Sequence, residues 1–257
     1  MTSSKSNFVI QCIIPLAIIA AATAPSSVFA QAAQKRETQE AYENSANKHV
    51  RNAVSVVKRM ESDPTMQRVM IDAKGIYIVP TYGRAALGVG GQGGAGVLLI
   101  RQGPDWSDPV FYNIGGISIG AQVGAEGGAV AFVLKNEKAV QRFTDKNNFS
   151  LTADAGITVV NWTKIAQGST GEGDVIAWSG TKGLFGNVAT IGVKDIRYNE
   201  RMTSAYYGKT TSAMEVIDGK VKNPASDSLK QALAETSSGA ASGKSGGSTG
   251  AVPEQKK

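Results

Sequence analysis

Gly88-Val89-Gly90-Gly91-Gln92-Gly93-Gly94-Ala95-Gly96-Val97-Leu98-Leu99-Ile100 is the stretch whose reading decides the fold. Its first six residues match the dinucleotide fingerprint GxGxxG. That motif needs a helix to open at its end, so that the helix N-terminus can take the pyrophosphate. Here Gly94-Ala95-Gly96 follows, and then the β-branched and aliphatic run 97–100, which reads as strand. The stretch is therefore a glycine-bent strand and not a cofactor loop. Fifteen of the thirty glycines fall between Gly75 and Gly128, and apolar runs at 76–79, 97–100, 110–112, 117–119 and 130–134 separate them. Glycine inside strands marks bulges, bends and close backbone approach. The expected class is α+β: a mainly antiparallel, glycine-rich sheet curled into a barrel or sandwich, with N-terminal and short peripheral helices.

Upstream, 34–60 reads as helix. Glu37, Glu40 and Glu43 sit near its start and Lys58 and Arg59 near its end, as the helix dipole prefers. Val50, Ala53, Val54 and Val57 make an apolar stripe at helical spacing. Lys48, Arg51, Ser55, Lys58 and Arg59 lie mostly on the other side. Such a helix packs on its own domain or lies on an anionic membrane. Asp63-Pro64 offers an N-cap and a first helical residue for a second helix to about residue 73, with Gly75 as a left-handed stop. Downstream, a helix is expected at 137–143, strands at 149–151, 157–160, 175–178, 188–193 and 197–198, and short helices at 210–217 and 226–235. From Thr236 onward the Ser, Gly, Ala and Lys composition predicts a disordered tail.

The N-terminus has the order of a secretory signal. Lys5 precedes an apolar run over 8–24, Pro25-Ser26-Ser27 breaks it, and Val28-Phe29-Ala30 supplies a small-residue cleavage site. The expected layout is a signal segment over 1–30, a folded domain over 31–221, and a short helix with a Gly/Ser-rich tail over 222–257. The mature chain would be periplasmic or secreted, peripheral at a membrane. Cys12, the sole cysteine, would leave with the signal, and thiol or disulfide chemistry with it.

Catalytic signals are sparse. His49 is the only histidine, so no His pair exists for zinc; any Ser-His-Asp set would need His49, which lies on the basic helix where a solvated surface role is the default. Glu126, Asp154, Glu172 and Asp174 are candidate carboxylates by composition, and nothing pairs them. Gly243-Lys244-Ser245 lacks the earlier glycine of a phosphate loop, because position 238 is Ser238. No enzyme activity, cofactor or metal is expected. The net charge of +6 suits an anionic partner and equally an ordinary solvated surface. Nucleic acid is not an expected partner outside the cytoplasm. Trp106-Ser107-Asp108-Pro109 reads as a turn with an aromatic anchor.

Six segments, in order, resemble the SYLF domain family. They are Ala73-Lys74-Gly75-Ile76-Tyr77-Ile78-Val79-Pro80, the glycine-rich 90–98, Trp106-Ser107-Asp108-Pro109-Val110-Phe111, Ile119-Gly120-Ala121-Gln122-Val123-Gly124, Lys182-Gly183-Leu184-Phe185-Gly186 and Tyr206-Tyr207-Gly208. The resemblance spans about residues 51–216. It implies a non-enzymatic lipid- or membrane-binding module, contacting anionic phospholipid through a basic amphipathic helix. Lys48, Arg51, Lys58, Arg59 and Lys74 are the lipid-binding candidates it suggests. The exported setting makes actin an unlikely partner on this reading. A structural envelope protein that binds a protein partner through its sheet and tail is the alternative.

Overall fold

The computed structural model describes residues 25–145, 147–168, 173–180 and 193–238. The elements are α1 (Pro25–Glu61), α2 (Pro64–Ile71), β1 (Gly75–Gln102), β2 (Asp105–Trp106), β3 (Val110–Leu134), α3 (Glu137–Asp145), β4 (Asn148–Leu151), β5 (Val159–Asn161), α4 (Trp162–Ala166), β6 (Val175–Ser179), β7 (Val193–Tyr198), α5 (Glu200–Tyr207), α6 (Ala213–Ile217) and α7 (Asp227–Ser238). The class is α+β, as the glycine pattern predicts. Residues 1–24, where most of the expected signal segment falls, lie outside the described residues, as do most of the strand expected at 188–193 and the Lys-Gly-Leu-Phe segment. Two compact units are distinguished, one ending at Thr38 and the other running from Gln39. The first contributes the start of α1, from Pro25, to the described residues. The second carries the sheet.

Two long strands organise the sheet. β1 and β3 pair antiparallel from Gly75↔Leu134 to Leu98↔Val110, with register shifts at Val79/Tyr82 and Leu87/Val89. β1 also returns upon itself. Arg101 N donates to Lys74 O at 2.9 Å. A Cβ built on Gly94 would stand 2.5 Å from Thr81 O, and one on Gly96 would overlap Ile78 O. The contacts 74/101, 78/96 and 81/94 share a midpoint near residue 87, where the second register shift lies. A bulge in a strand bends it and increases its twist. The ribbon thus folds in half at Leu87-Gly88, and the bare glycines let its two halves meet. Gly94 and Gly96 serve that fold.

The folded ribbon gives a curled half-barrel. β6 joins β3 antiparallel through Val130↔Ser179 to Leu134↔Val175, and β5 joins β6 parallel, so the sheet is mixed. On the other side β7 pairs β3 at Tyr112↔Tyr198 and β4 at Asn148↔Arg197.

Both faces of the sheet are covered. One carries Ile76, Ile78, Val97, Leu99, Phe111, Ala131, Val133 and Ile176 against α1, α2 and α7. The other carries Tyr77, Val79, Leu98, Ile100, Tyr112, Val130, Phe132 and Leu134 against α3 and α6. Strands buried on both faces read as continuous apolar runs, which is why 97–100 and 130–134 do not alternate. The second face is aromatic. Phe143 stands 5.4 Å from Tyr77, 5.2 Å from Tyr112 and 4.7 Å from Phe149, between ring centroids. The Tyr77 hydroxyl donates to Tyr112 O at 3.0 Å and the Tyr112 hydroxyl to Phe143 O at 2.6 Å, so both buried phenols are satisfied.

Asp63 caps α2 as expected, accepting from Thr65 N at 2.8 Å and Met66 N at 3.2 Å. Gly75 is not the helix stop. Asp72 ends α2, and Gly75 opens β1 where a Cβ would press 2.9 Å from Ile100 Cδ1. α5 had no helical expectation from the sequence. α7 runs through Ser238 and packs Leu229 and Leu233 into the α1-side core. Thr236 and Ser237 are buried there, their hydroxyls donating to Ala232 O and Leu233 O.

Candidate anion-binding surface

α1 packs on its own domain. Ala46, Val50, Ala53, Val56, Val57 and Met60 are buried in the core beneath it. Lys48, Arg51, Ser55, Lys58 and Arg59 are exposed. At 3.6 residues per turn these five span an arc of about 100°, opposite the buried stripe. No Asp or Glu occurs over 44–60. Lys48, Arg51 and Lys58 make no ion pair among the described residues. Arg59 has a neighbour: its Cζ lies 5.7 Å from the centroid of the Trp178 ring, a cation–π distance. A Cβ on Gly180 would stand 2.8 Å from its guanidinium, so Gly180 leaves room for that stacking.

Lys74 is exposed but belongs to another corner. Its backbone bridges the sheet, N to Leu134 O and O from Arg101 N. The eight-residue α2, about 12 Å long, separates it in the chain from the α1 cations. At that corner two other cations cap the C-terminus of α2. Arg101 donates to Ile71 O at 2.5 Å and Lys135 Nζ to Val69 O at 3.1 Å. Burial pulls the Lys135 ammonium below its ordinary value, and Asp72 at 3.7 Å acts the other way. These side chains answer unpaired helix carbonyls.

Carboxylates are similarly engaged in structure. Asp108 is 5% exposed and accepts from Asn223 N at 3.1 Å, Ser226 Oγ at 2.7 Å and Lys230 Nζ at 3.3 Å. It fastens α7 to the Trp-Ser-Asp-Pro turn. Burial alone would lower the Lys230 pKa, but Asp227 and Asp108 hold it above its ordinary value. Asp174 accepts from Thr158 N at 2.7 Å, Asn136 Nδ2 at 2.8 Å and Lys138 Nζ at 3.1 Å. Burial would raise its pKa, yet these donors hold it below the usual range. It ties β6 to the start of α3. Of the other candidate carboxylates, Glu172 lies outside the described residues, as do the side chains of Glu126 and Asp154. No cluster of three metal-ligating side chains occurs among the described residues. His49 lies at the flank of the buried stripe, and burial, then Lys48, lowers its pKa.

Residues 115–236 match a family model described as Ysc84, "Las17-binding protein actin regulator". Over that segment the chain is similar to the Ysc84 family. The SYLF resemblance read from six short segments is the same family. Protein YSC84 of Saccharomyces cerevisiae is 28% identical over 172 residues, 64% of this chain and 36% of that protein. LAS seventeen-binding protein 3 of the same species is 27% identical over 162 residues, 61% of this chain and 35% of that protein. The SH3 domain-containing YSC84-like protein 1 of Mus musculus is 25% identical over 186 residues, 70% of this chain and 54% of that protein. The chain spans only about a third of the yeast relatives. No solved structure matches it. These names correct one expectation. Actin was set aside as a partner, yet the Ysc84 family model is itself described as an actin regulator. The family model is described by binding and regulation, and one yeast relative is named for binding. The Ysc84 model begins at Gly115, inside β3, so α1 and Lys74 lie outside the matched segment.

Proposed function

We propose that this chain is a non-catalytic binding module that docks on anionic phospholipid through the polar face of α1. Lys48, Arg51, Lys58 and Arg59 face the lipid, and Lys74 adds to the field from the neighbouring corner. The observation that carries the reading is the α1 face: four exposed cations, no carboxylate over 44–60, and an apolar stripe already buried in the domain. The helix therefore contributes charge, not insertion. No described helix is long and apolar enough to cross a membrane. Each cation near an anionic surface contributes about 1 kcal/mol, screened by salt. The protein should sediment with phosphatidylglycerol vesicles, not with pure phosphatidylcholine, and should be released by salt. Equal sedimentation with both lipids, or none, rejects the reading.

The family description favours a second reading, in which the same face binds a protein of the actin machinery. Sedimentation with actin filaments, with and without Lys48→Glu, Arg51→Glu and Lys58→Glu together, separates the two. Filament binding without vesicle binding supports the second reading. We also propose that the module works outside the cytoplasm, as the 1–30 segment suggests. Intact mass of protein from a secreting host should then begin at Gln31.

A further inference from the structure

Two large apolar side chains are exposed among the described residues, Ile71 and Met214, each at 43%. A lone exposed apolar side chain is ordinary by itself. The charges around these two set them apart. Met214 lies on α6 with Glu215 beside it and Asp218 one turn on. Ile71 ends α2, and its surroundings are basic. Arg68, three residues back on the same face of the helix, and Lys74, three residues on, are both exposed. The Arg101 guanidinium donates to Ile71 O and its backbone N–H to Lys74 O, so Ile71, Lys74 and Arg101 are joined by hydrogen bonds. Lys74 N donates to Leu134 O, which brings in Lys135, whose ammonium caps Val69 O. Asp72 is the single carboxylate over 64–104, and Lys135 answers it at 3.7 Å. An exposed isoleucine thus stands among four cations and one paired carboxylate.

We propose that the corner bearing Arg68, Ile71 and Lys74 is the point at which the protein enters an anionic bilayer, with Ile71 as the inserted side chain. This rests on the lipid reading above. It adds an apolar contact that α1, whose own stripe is in the core, does not supply. Charge selects the occupant. A helix C-terminus carries partial negative charge and repels a phosphate. Arg101 and Lys135 cover the carbonyls of Ile71 and Val69 and remove that repulsion from the corner. Arg68 and Lys74 make no ion pair among the described residues, which leaves them to meet headgroups. Interfacial binding scales with the apolar area buried plus the attraction to anionic lipid, and this corner offers both. Met214 offers the apolar part alone, beside carboxylates that an anionic surface repels. Val69 and Met70, next to Ile71 in the chain, are already in the core. Ile71 therefore leaves water for the acyl boundary without unpacking α2.

The test uses the full chain with Cys12→Ser and either Ile71→Cys or Met214→Cys, labelled with an environment-sensitive nitrobenzoxadiazole dye. Vesicles contain phosphatidylglycerol and phosphatidylcholine in equal parts, with or without acyl-chain spin labels. We expect the dye at position 71 to brighten and be quenched by the spin label, and the dye at position 214 to do neither. Ile71→Gln, its fold checked by the urea midpoint, should bind these vesicles about tenfold more weakly and keep the salt-sensitive part. Met214→Gln should bind as the parent does. Sedimentation with the dye at 71 unchanged, or with both dyes equally brightened, overturns this proposal and leaves the lipid reading standing. No sedimentation at all overturns both. A dye at 71 that responds to actin filaments or to protein concentration, and not to vesicles, assigns the corner to a protein surface and overturns the bilayer.

Discussion

Two sets of cations in this molecule look alike in the sequence and differ in their surroundings. Arg101, Lys135 and Lys230 sit where two elements meet, and each has a named acceptor: Ile71 O, Val69 O and the Asp108 carboxylate. Lys48, Arg51 and Lys58 project from one face of α1 and make no ion pair among the described residues. The first set holds helices to the sheet. The second does nothing for the fold that can be seen, and an unbalanced row of charge on a surface repels itself unless something answers it. Position against acceptors, rather than residue type, separates structural from functional charge. Substitutions in each set test that division.

Asp108→Ala should have the largest effect. It strands Lys230 and removes the acceptor of Asn223 N and Ser226 Oγ at once. Breaking a buried pair by removing one partner costs about 3 kcal/mol or more. The urea midpoint should fall accordingly, with vesicle binding by the folded protein unchanged. A midpoint equal to that of the parent would mean that the Asp108 network does not hold α7, and the division would fail at its strongest point.

Lys135→Met comes next. It removes the donor to Val69 O and the partner of Asp72 while keeping most of the stem. The loss should be about 1 kcal/mol, the usual scale for a cation at a helix C-terminus. Lys74→Met, at the same corner but exposed, should leave the midpoint unchanged. If the two variants shift it equally, the corner is a diffuse field and not a set of specific caps.

The sequence revealed the class of this fold and hid its division of labour. Gly94 and Gly96 announced close backbone approach, and Asp63-Pro64 announced the start of α2, because both effects are local. Gly75 misled, because its reason for being glycine is Ile100 and Leu134, distant in the chain. The alternation of 76–79 and 97–100 was masked because both faces are buried. The basic face of α1 was legible from its spacing. That Arg59 stacks on Trp178, or that Asp108 clasps Lys230 across 122 residues, was not, since nothing local signals a partner so far away.

His49 lies between the two sets. It is part buried beside Lys48, and its lowered pKa means the folded protein disfavours its charged form. The unfolded chain then binds more protons between the lowered value and the ordinary 6.5, so stability falls as pH drops through that window. His49→Gln should flatten the pH dependence there. A midpoint that stays level for the parent protein between neutral pH and the carboxylate range would show that α1 tolerates the charge.

The smallest effect on stability should come from the largest change of charge. Lys48→Glu, Arg51→Glu and Lys58→Glu together reverse three exposed charges on α1. Exposed substitutions away from partners stay within about 0.5 kcal/mol each, and the reversal exchanges one set of like charges for another. The urea midpoint should therefore remain near that of the parent while vesicle sedimentation is lost. Asp108→Ala should show the reverse: a large fall in midpoint with binding retained. If the triple reversal unfolds the protein, the α1 cations are structural after all, and the contrast between the two sets disappears. If it leaves both the midpoint and sedimentation intact, the charges are ordinary solvated surface, and the anionic ligand must be sought elsewhere on the domain.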